Sequence, residues 1–126
     1  MSARRVLIID DEEDLVEMLA LRLSSTGLFD VSTAADGASG LSRAKELAPD
    51  VVLLDSIMPG LDGWEVCRRI RQEPALGSTA VVMMTAGTPE DSARRARESG
   101  ADGLILKPYD HSQIVDALKT ATHGHA

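Results

Sequence analysis

Cysteine is almost missing from this 126-residue chain, and the lone Cys67 excludes an internal disulfide. A single thiol fits a reducing, cytosolic setting without proving one. No apolar run approaches the roughly 18 residues that a membrane span needs. The amino terminus carries Arg4 and Arg5 but passes at once into a short strand and acid, which is not the pattern of a signal peptide. Positive charge is scarce: 13 Lys and Arg stand against 20 Asp and Glu, a formal net charge of −7. Direct nucleic acid contact is therefore not expected, because phosphate contacts need a basic face. Linkers, internal repeats and low-complexity stretches are also missing. With 44% hydrophobic residues the chain has enough apolar material to fold. Its length suits one compact domain, expected over 1–126 with a core at about 4–120. Residues 121–126 read as a loose tail whose His123 and His125 could hold only an adventitious metal.

Strand and helix patterns alternate throughout. Val6-Leu7-Ile8-Ile9 runs into Asp10-Asp11, and Val51-Val52-Leu53-Leu54 runs into Asp55. Ala80 to Met84 ends at Thr85, and Leu104-Ile105-Leu106 ends at Lys107. A further short strand covers Phe29 to Ala34. Between them lie helical patterns. Leu15, Met18, Leu19 and Leu23 form the first stripe, closed by Gly27. Asp36 caps a second helix with Ala38, Leu41, Ala44 and Ala48, which Pro49 stops. Asp62 and Glu65 form a capping box for a third, through Val66, Cys67 and Ile70. Thr88 and Pro89 open a fourth, whose main apolar residues are Ala93 and Ala96 among Arg94, Arg95 and Arg97; such a helix is weakly anchored. Asp110 and Gln113 cap a fifth with Ile114, Val115 and Leu118 inward. Trp64 reads as helix-end packing and Cys67 as core.

Five apolar strands in strict alternation with helices predict an α/β fold: a doubly wound, five-stranded parallel sheet in a three-layer α/β/α sandwich. The order 2-1-3-4-5 sets the first and third strands side by side at the switch point, where ligands bind. Asp10, Asp11 and Asp55 then share one crevice with Thr85 and Lys107. Three packed carboxylates must raise their pKa values or take up a cation. Mg²⁺ suits them, since it prefers oxygen and commonly combines one or two carboxylates with phosphate oxygens; Mn²⁺ can substitute. Asp55 is the candidate nucleophile for an acyl phosphate. Lys107 can pair with Asp55 in the empty state and with a phosphoryl oxygen in the loaded one. Thr85 can donate to another phosphoryl oxygen, and Ala86 leaves room for the group. Asp11 can serve both as a helix cap and as a ligand.

Ile8-Ile9-Asp10-Asp11, Asp55-Ser56-Ile57-Met58-Pro59-Gly60-Leu61-Asp62-Gly63, Thr85-Ala86 and Lys107-Pro108-Tyr109 resemble the receiver domain of bacterial two-component response regulators. The resemblance runs from Arg4 to about Thr120. It implies that Asp55 is the phosphoacceptor. It implies that Asp11 and the backbone carbonyl of Ile57 bind Mg²⁺ directly, with Asp10 acting through a metal-bound water. Thr85 and Lys107 would contact the phosphoryl group. The implied donor is a phosphohistidine on a sensor histidine kinase or histidine phosphotransfer protein, in the cytoplasm, with a monomer or weak homodimer passing the signal to a downstream effector. The chain would promote only its own phosphorylation and dephosphorylation, and it is expected to be either a stand-alone regulator or part of a longer one.

Two positions depart from the family pattern. Leu104 stands where an aromatic ring commonly turns inward as the threonine moves to the phosphate. Ser56 follows the phosphoacceptor where an apolar residue is usual. Three rival readings are weaker. A flavodoxin-like cofactor binder needs a small-residue phosphate loop after the first strand, and here that loop is Asp10-Asp11-Glu12-Glu13-Asp14. A phosphatase of the haloacid dehalogenase type places an acid two residues after its nucleophile, where this chain has Ile57. A constitutive docking module that is never phosphorylated has no need of the intact acid set.

Overall fold

The computed structural model describes residues 3–123. Its strands are β1 (Arg4–Ile9), β2 (Phe29–Ala34), β3 (Val51–Asp55), β4 (Ala80–Thr85) and β5 (Gly103–Leu106). Its helices are α1 (Glu13–Ser25), α2 (Gly37–Leu47), α3 (Gly63–Gln72), α4 (Pro89–Ser99) and α5 (His111–Thr120), with a short 3₁₀ turn at Pro74–Leu76. The strands form one parallel sheet in the order β2-β1-β3-β4-β5, as the alternation predicts.

Apart from Arg4 and Arg5 at the start of β1 and the terminal Asp55 and Thr85, the central strands are apolar at every position, because successive side chains leave opposite faces and both faces are covered. Val6, Ile8, Val51, Leu53, Val82 and Met84 face one layer, where Leu19, Leu23, Ile114 and Leu118 of α1 and α5 close over them. Leu7, Ile9, Val52, Leu54, Val81 and Met83 face the other, under Ala44 of α2 and Val66, Cys67 and Ile70 of α3. Each large aliphatic side chain buried this way contributes about 1.5–3 kcal/mol.

Helix starts follow local chemistry. Asp36, Asp62, Thr88 and Asp110 each accept the backbone N–H three residues on, at 2.8, 2.9, 3.2 and 3.0 Å. Gln113 returns the bond to the Asp110 N–H at 2.8 Å, so that capping box is complete. The one expected at Asp62 is only half formed, because the Glu65 carboxylate pairs instead with Arg68 and Arg69. Asp11 does not cap α1: Glu12 holds the N-cap position with no side-chain bond, and Asp10 accepts the Glu12 N–H at 3.0 Å.

Two apolar stripes differ from the sequence pattern. In α1 the buried face is Val16, Leu19 and Leu23, while Met18 is 57% exposed. In α2 the buried face is Gly37, Gly40 and Ala44; Ala38 faces solvent and Ala48 lies past the helix end in the left-handed region. Gly40 is needed there because a β-carbon would come within 2.6 Å of the Ile9 side chain. His123 is not loose either. Its Nδ1 lies 2.6 Å from Asp102 Oδ1, and Asp102 also accepts the Val81 N–H and faces Arg71. His125 and the rest of the tail lie outside the described residues.

Candidate functional site

Register sets the site. Ile9 stands beside Leu54, Asp55 beside Met84, and Thr85 beside Leu106. Asp10, Asp55, Thr85 and Lys107 therefore emerge together at the carboxyl edge, where no further strand residue covers them. Asp10, Asp55 and Thr85 are 1%, 4% and 5% exposed. Asp11 is exposed. Carboxylate oxygens of Asp10, Asp11 and Asp55 all lie within 4.8 Å of one another. Lys107 Nζ donates to Asp55 Oδ1 at 2.9 Å. The Lys107–Pro108 bond is cis.

Electrostatics separate the acids. Burial pushes the Asp10 carboxyl up to about 6; the Glu12 N–H works against this and the charge of Asp55 adds to it. Burial alone would lower the Lys107 ammonium, but the hydrogen bond and charge of Asp55, with the charge of Asp10, outweigh it and hold it above the ordinary lysine range. Asp10 Oδ2 is buried without a hydrogen-bond partner. An orphaned carboxylate oxygen beside two further carboxylates fits a hard divalent cation, which satisfies oxygen lone pairs and offsets the charge.

The remaining expected residues fall as follows. Ala86 is exposed at the mouth of the site. The Ile57 side chain is 75% exposed on the loop after β3. Leu104 is half-buried and packs on the same side of the sheet as Trp64. Trp64 is 5% exposed and Cys67 fully buried, both core as expected, and burial pushes the Cys67 thiol up to about 11. Arg94 and Arg95 pair along α4 with Asp91 and Glu98, which makes them a solvated helix face.

Two kinds of residue matter here beyond the expected set. Gly63, at the start of α3, touches the site: its N–H donates to the Ser56 carbonyl at 3.0 Å, and a β-carbon on it would lie 1.9 Å from the Asp55 carbonyl oxygen. Ser92 and Ser99, 1% and 2% exposed, form the buried face of α4 together with half-buried Ala93 and Ala96. The small-residue spacing Ser92–Ala96–Ser99 was a usable helical signal. Ser56, Thr85, Gly87 and Ser92 line one groove of about 370 Å³ between the starts of α3 and α4.

Comparison with known proteins agrees with this geometry. The family model of the response regulator receiver domain matches residues 6–119. The DNA-binding response regulator MtrA of Mycolicibacterium paratuberculosis is 39% identical over 116 residues, 92% of this chain and 50% of that protein. Response regulator PleD of Caulobacter vibrioides is 37% identical over 122 residues, 97% of this chain and 26% of that protein. The chain thus spans half or less of these relatives. The crystallised chemotaxis protein CheY4 of Vibrio cholerae superposes with a TM-score of 0.88 at 28% identity, covering 95% of this chain and 99% of that one. Among the described residues no helix is long and apolar enough to cross a membrane. With its acids, hydroxyl and lysine on one sheet edge and the family model spanning nearly its whole length, this chain belongs to the response regulator receiver domain family.

Proposed function

We propose that this receiver is a working phosphoacceptor: Asp55 takes a phosphoryl group from a phosphohistidine of a sensor histidine kinase or histidine phosphotransfer protein, and the product binds its effector differently. The observation that carries the reading is the convergence of Asp10, Asp11 and Asp55 within 4.8 Å, with Lys107 already on Asp55. One Asp55 oxygen bonds to phosphorus as the phosphohistidine N–P bond breaks, and the electron pair returns to the imidazole nitrogen. The Lys107 ammonium turns from Asp55 to a phosphoryl oxygen, and the Thr85 hydroxyl donates to another. Ala86, with only a methyl group, leaves the approach open. Mg²⁺, held by Asp11, Asp55 and the Ile57 carbonyl and through water by Asp10, would supply charge that offsets the phosphoryl oxygens, and Mn²⁺ would serve in its place. The domain acts on no substrate but itself, works in the cytoplasm as a monomer or weak homodimer, and leaves nucleic acid contact to other parts of its pathway.

Beryllium fluoride with Mg²⁺ tests the acceptor. Titration is expected to change Trp64 emission in the natural chain and to leave Asp55→Asn unchanged; an equal response in both would overturn the assignment. The ligand roles have their own test. Asp10→Ala is expected to weaken Mg²⁺ by about 10–100-fold, as for a group acting from the outer shell. Asp11→Ala removes a direct ligand and is expected to weaken it further. The reverse order of affinities would contradict the roles given to this acid pair.

A further inference from the structure

Resting on the phosphoacceptor reading, we infer that Ser92 is the positioning residue that carries the movement of Thr85 into α4. In this structure the Thr85 hydroxyl oxygen accepts the Gly87 N–H at 3.3 Å. Gly87 has no side chain, and the space this leaves is shared by two hydroxyls. A β-carbon there would sit 3.1 Å from Ser92 Oγ and 3.7 Å from Thr85 Oγ1. Ser92 lies in the first turn of α4, its own N–H bonded to the Thr88 carbonyl at 2.9 Å, and its side chain is turned into the protein at 1% exposure. Thr85, Gly87 and Ser92 line the same groove.

When the Thr85 hydroxyl turns to a phosphoryl oxygen, the Gly87 N–H, on the exposed loop after β4, loses its protein acceptor. The freed donor takes the protein acceptor that borders the same space, and the bond is a gain for a serine that is itself 1% exposed. Ser92 Oγ is that acceptor. Taking over the bond draws the first turn of α4 toward the loop after β4. The helix can follow, because Ser92, Ser99 and two half-buried alanines are all that anchor its inner face. Leu104 has no hydroxyl or ring face to exchange between solvent and interior, so it keeps its rotamer. The phosphoryl group thus favours one arrangement of the 85–100 segment, the requirement for a population shift.

The test follows the Gly87 amide by hydrogen exchange, with and without beryllium fluoride and Mg²⁺, in the natural chain, Ser92→Ala and Ser92→Thr. Trp64 emission reports occupancy of Asp55 in each. In the natural chain and in Ser92→Thr, the Gly87 amide stays protected on loading and exchange across 89–99 changes. In Ser92→Ala, occupancy is retained, the Gly87 amide exchanges about fivefold faster or more only when loaded, and the change across 89–99 is lost. Unchanged Gly87 protection together with a full α4 response in loaded Ser92→Ala overturns the role of Ser92 while leaving the acceptor reading intact. No occupancy of the natural chain overturns both.

Discussion

Gly63→Ala is expected to be the most damaging single methyl group that this fold can receive near its site. The first residue of α3 lies against the end of β3, where the new β-carbon would stand 1.9 Å from the Asp55 carbonyl oxygen and 2.8 Å from Ser56 Cα. Both neighbours are backbone, so no rotamer change relieves the clash. Either α3 lifts off the sheet, taking Trp64 and Val66 out of the core, or the chain bends just after the acceptor. Overpacking of this kind costs about 3 kcal/mol. For a chain of this size that corresponds to a fall in Tm of about 10 °C. The displaced Asp55 backbone would also weaken beryllium fluoride occupancy in whatever protein stays folded. Calorimetry checks the first effect and titration at a temperature well below Tm the second. A variant with natural Tm would mean that α3 is not seated against β3 as described.

Asp10→Asn is expected to do the opposite, stabilising the metal-free protein while damaging the site. The folded carboxyl is raised to about 6 by burial, above its ordinary value of 3.8. Between about pH 4 and 6 the folded chain therefore holds a proton that the unfolded chain has released, and stability falls as pH rises through this window. Above it the ionised group costs about 3 kcal/mol, at about 1.4 kcal/mol per pKa unit. Asparagine is neutral throughout and can still accept the Glu12 N–H. The gain of Asp10→Asn should thus be about 3 kcal/mol at pH 7.5 in the presence of a chelator, and close to zero at pH 4. Mg²⁺ at about 100 times its Kd returns about 2.7 kcal/mol to the natural chain, which nearly closes the gap. A gain independent of pH, or no gain, would contradict burial as the cause of the Asp10 shift.

These two residues show where sequence is informative and where it falls silent. The sheet order and the five-residue constellation follow from apolar strands that each end in a polar group, a pattern that is one-dimensional and survives without any knowledge of packing. The choice between neighbouring helical stripes does not. In α1, Leu15, Val16, Met18 and Leu19 offer overlapping faces, and only the direction in which the helix meets the sheet selects Val16 and leaves Met18 outside. Which acid of Asp10-Asp11 is buried is hidden for a similar reason: both precede a helix, and the turn made by Asp10 decides it. Ser92 and Ser99 carry no apolar signal, yet α4 buries them because a small side chain lets the helix approach closely. Gly63 stood inside a recognised motif, yet its necessity comes from a backbone approach between β3 and α3 that no local pattern displays. The Asp102–His123 contact joins residues 21 apart and bears no signature at all.

Phosphoryl transfer to one named carboxylate is the centre of this account, and intact mass spectrometry with peptide mapping measures it directly. The natural chain and Asp55→Asn are incubated with acetyl phosphate in the presence of Mg²⁺ or of a chelator. The expected result is a single phosphoryl adduct on the peptide that contains Asp55, formed only with Mg²⁺ and missing from Asp55→Asn. An adduct of equal yield on Asp55→Asn, or one that maps to a peptide without Asp55, would contradict it.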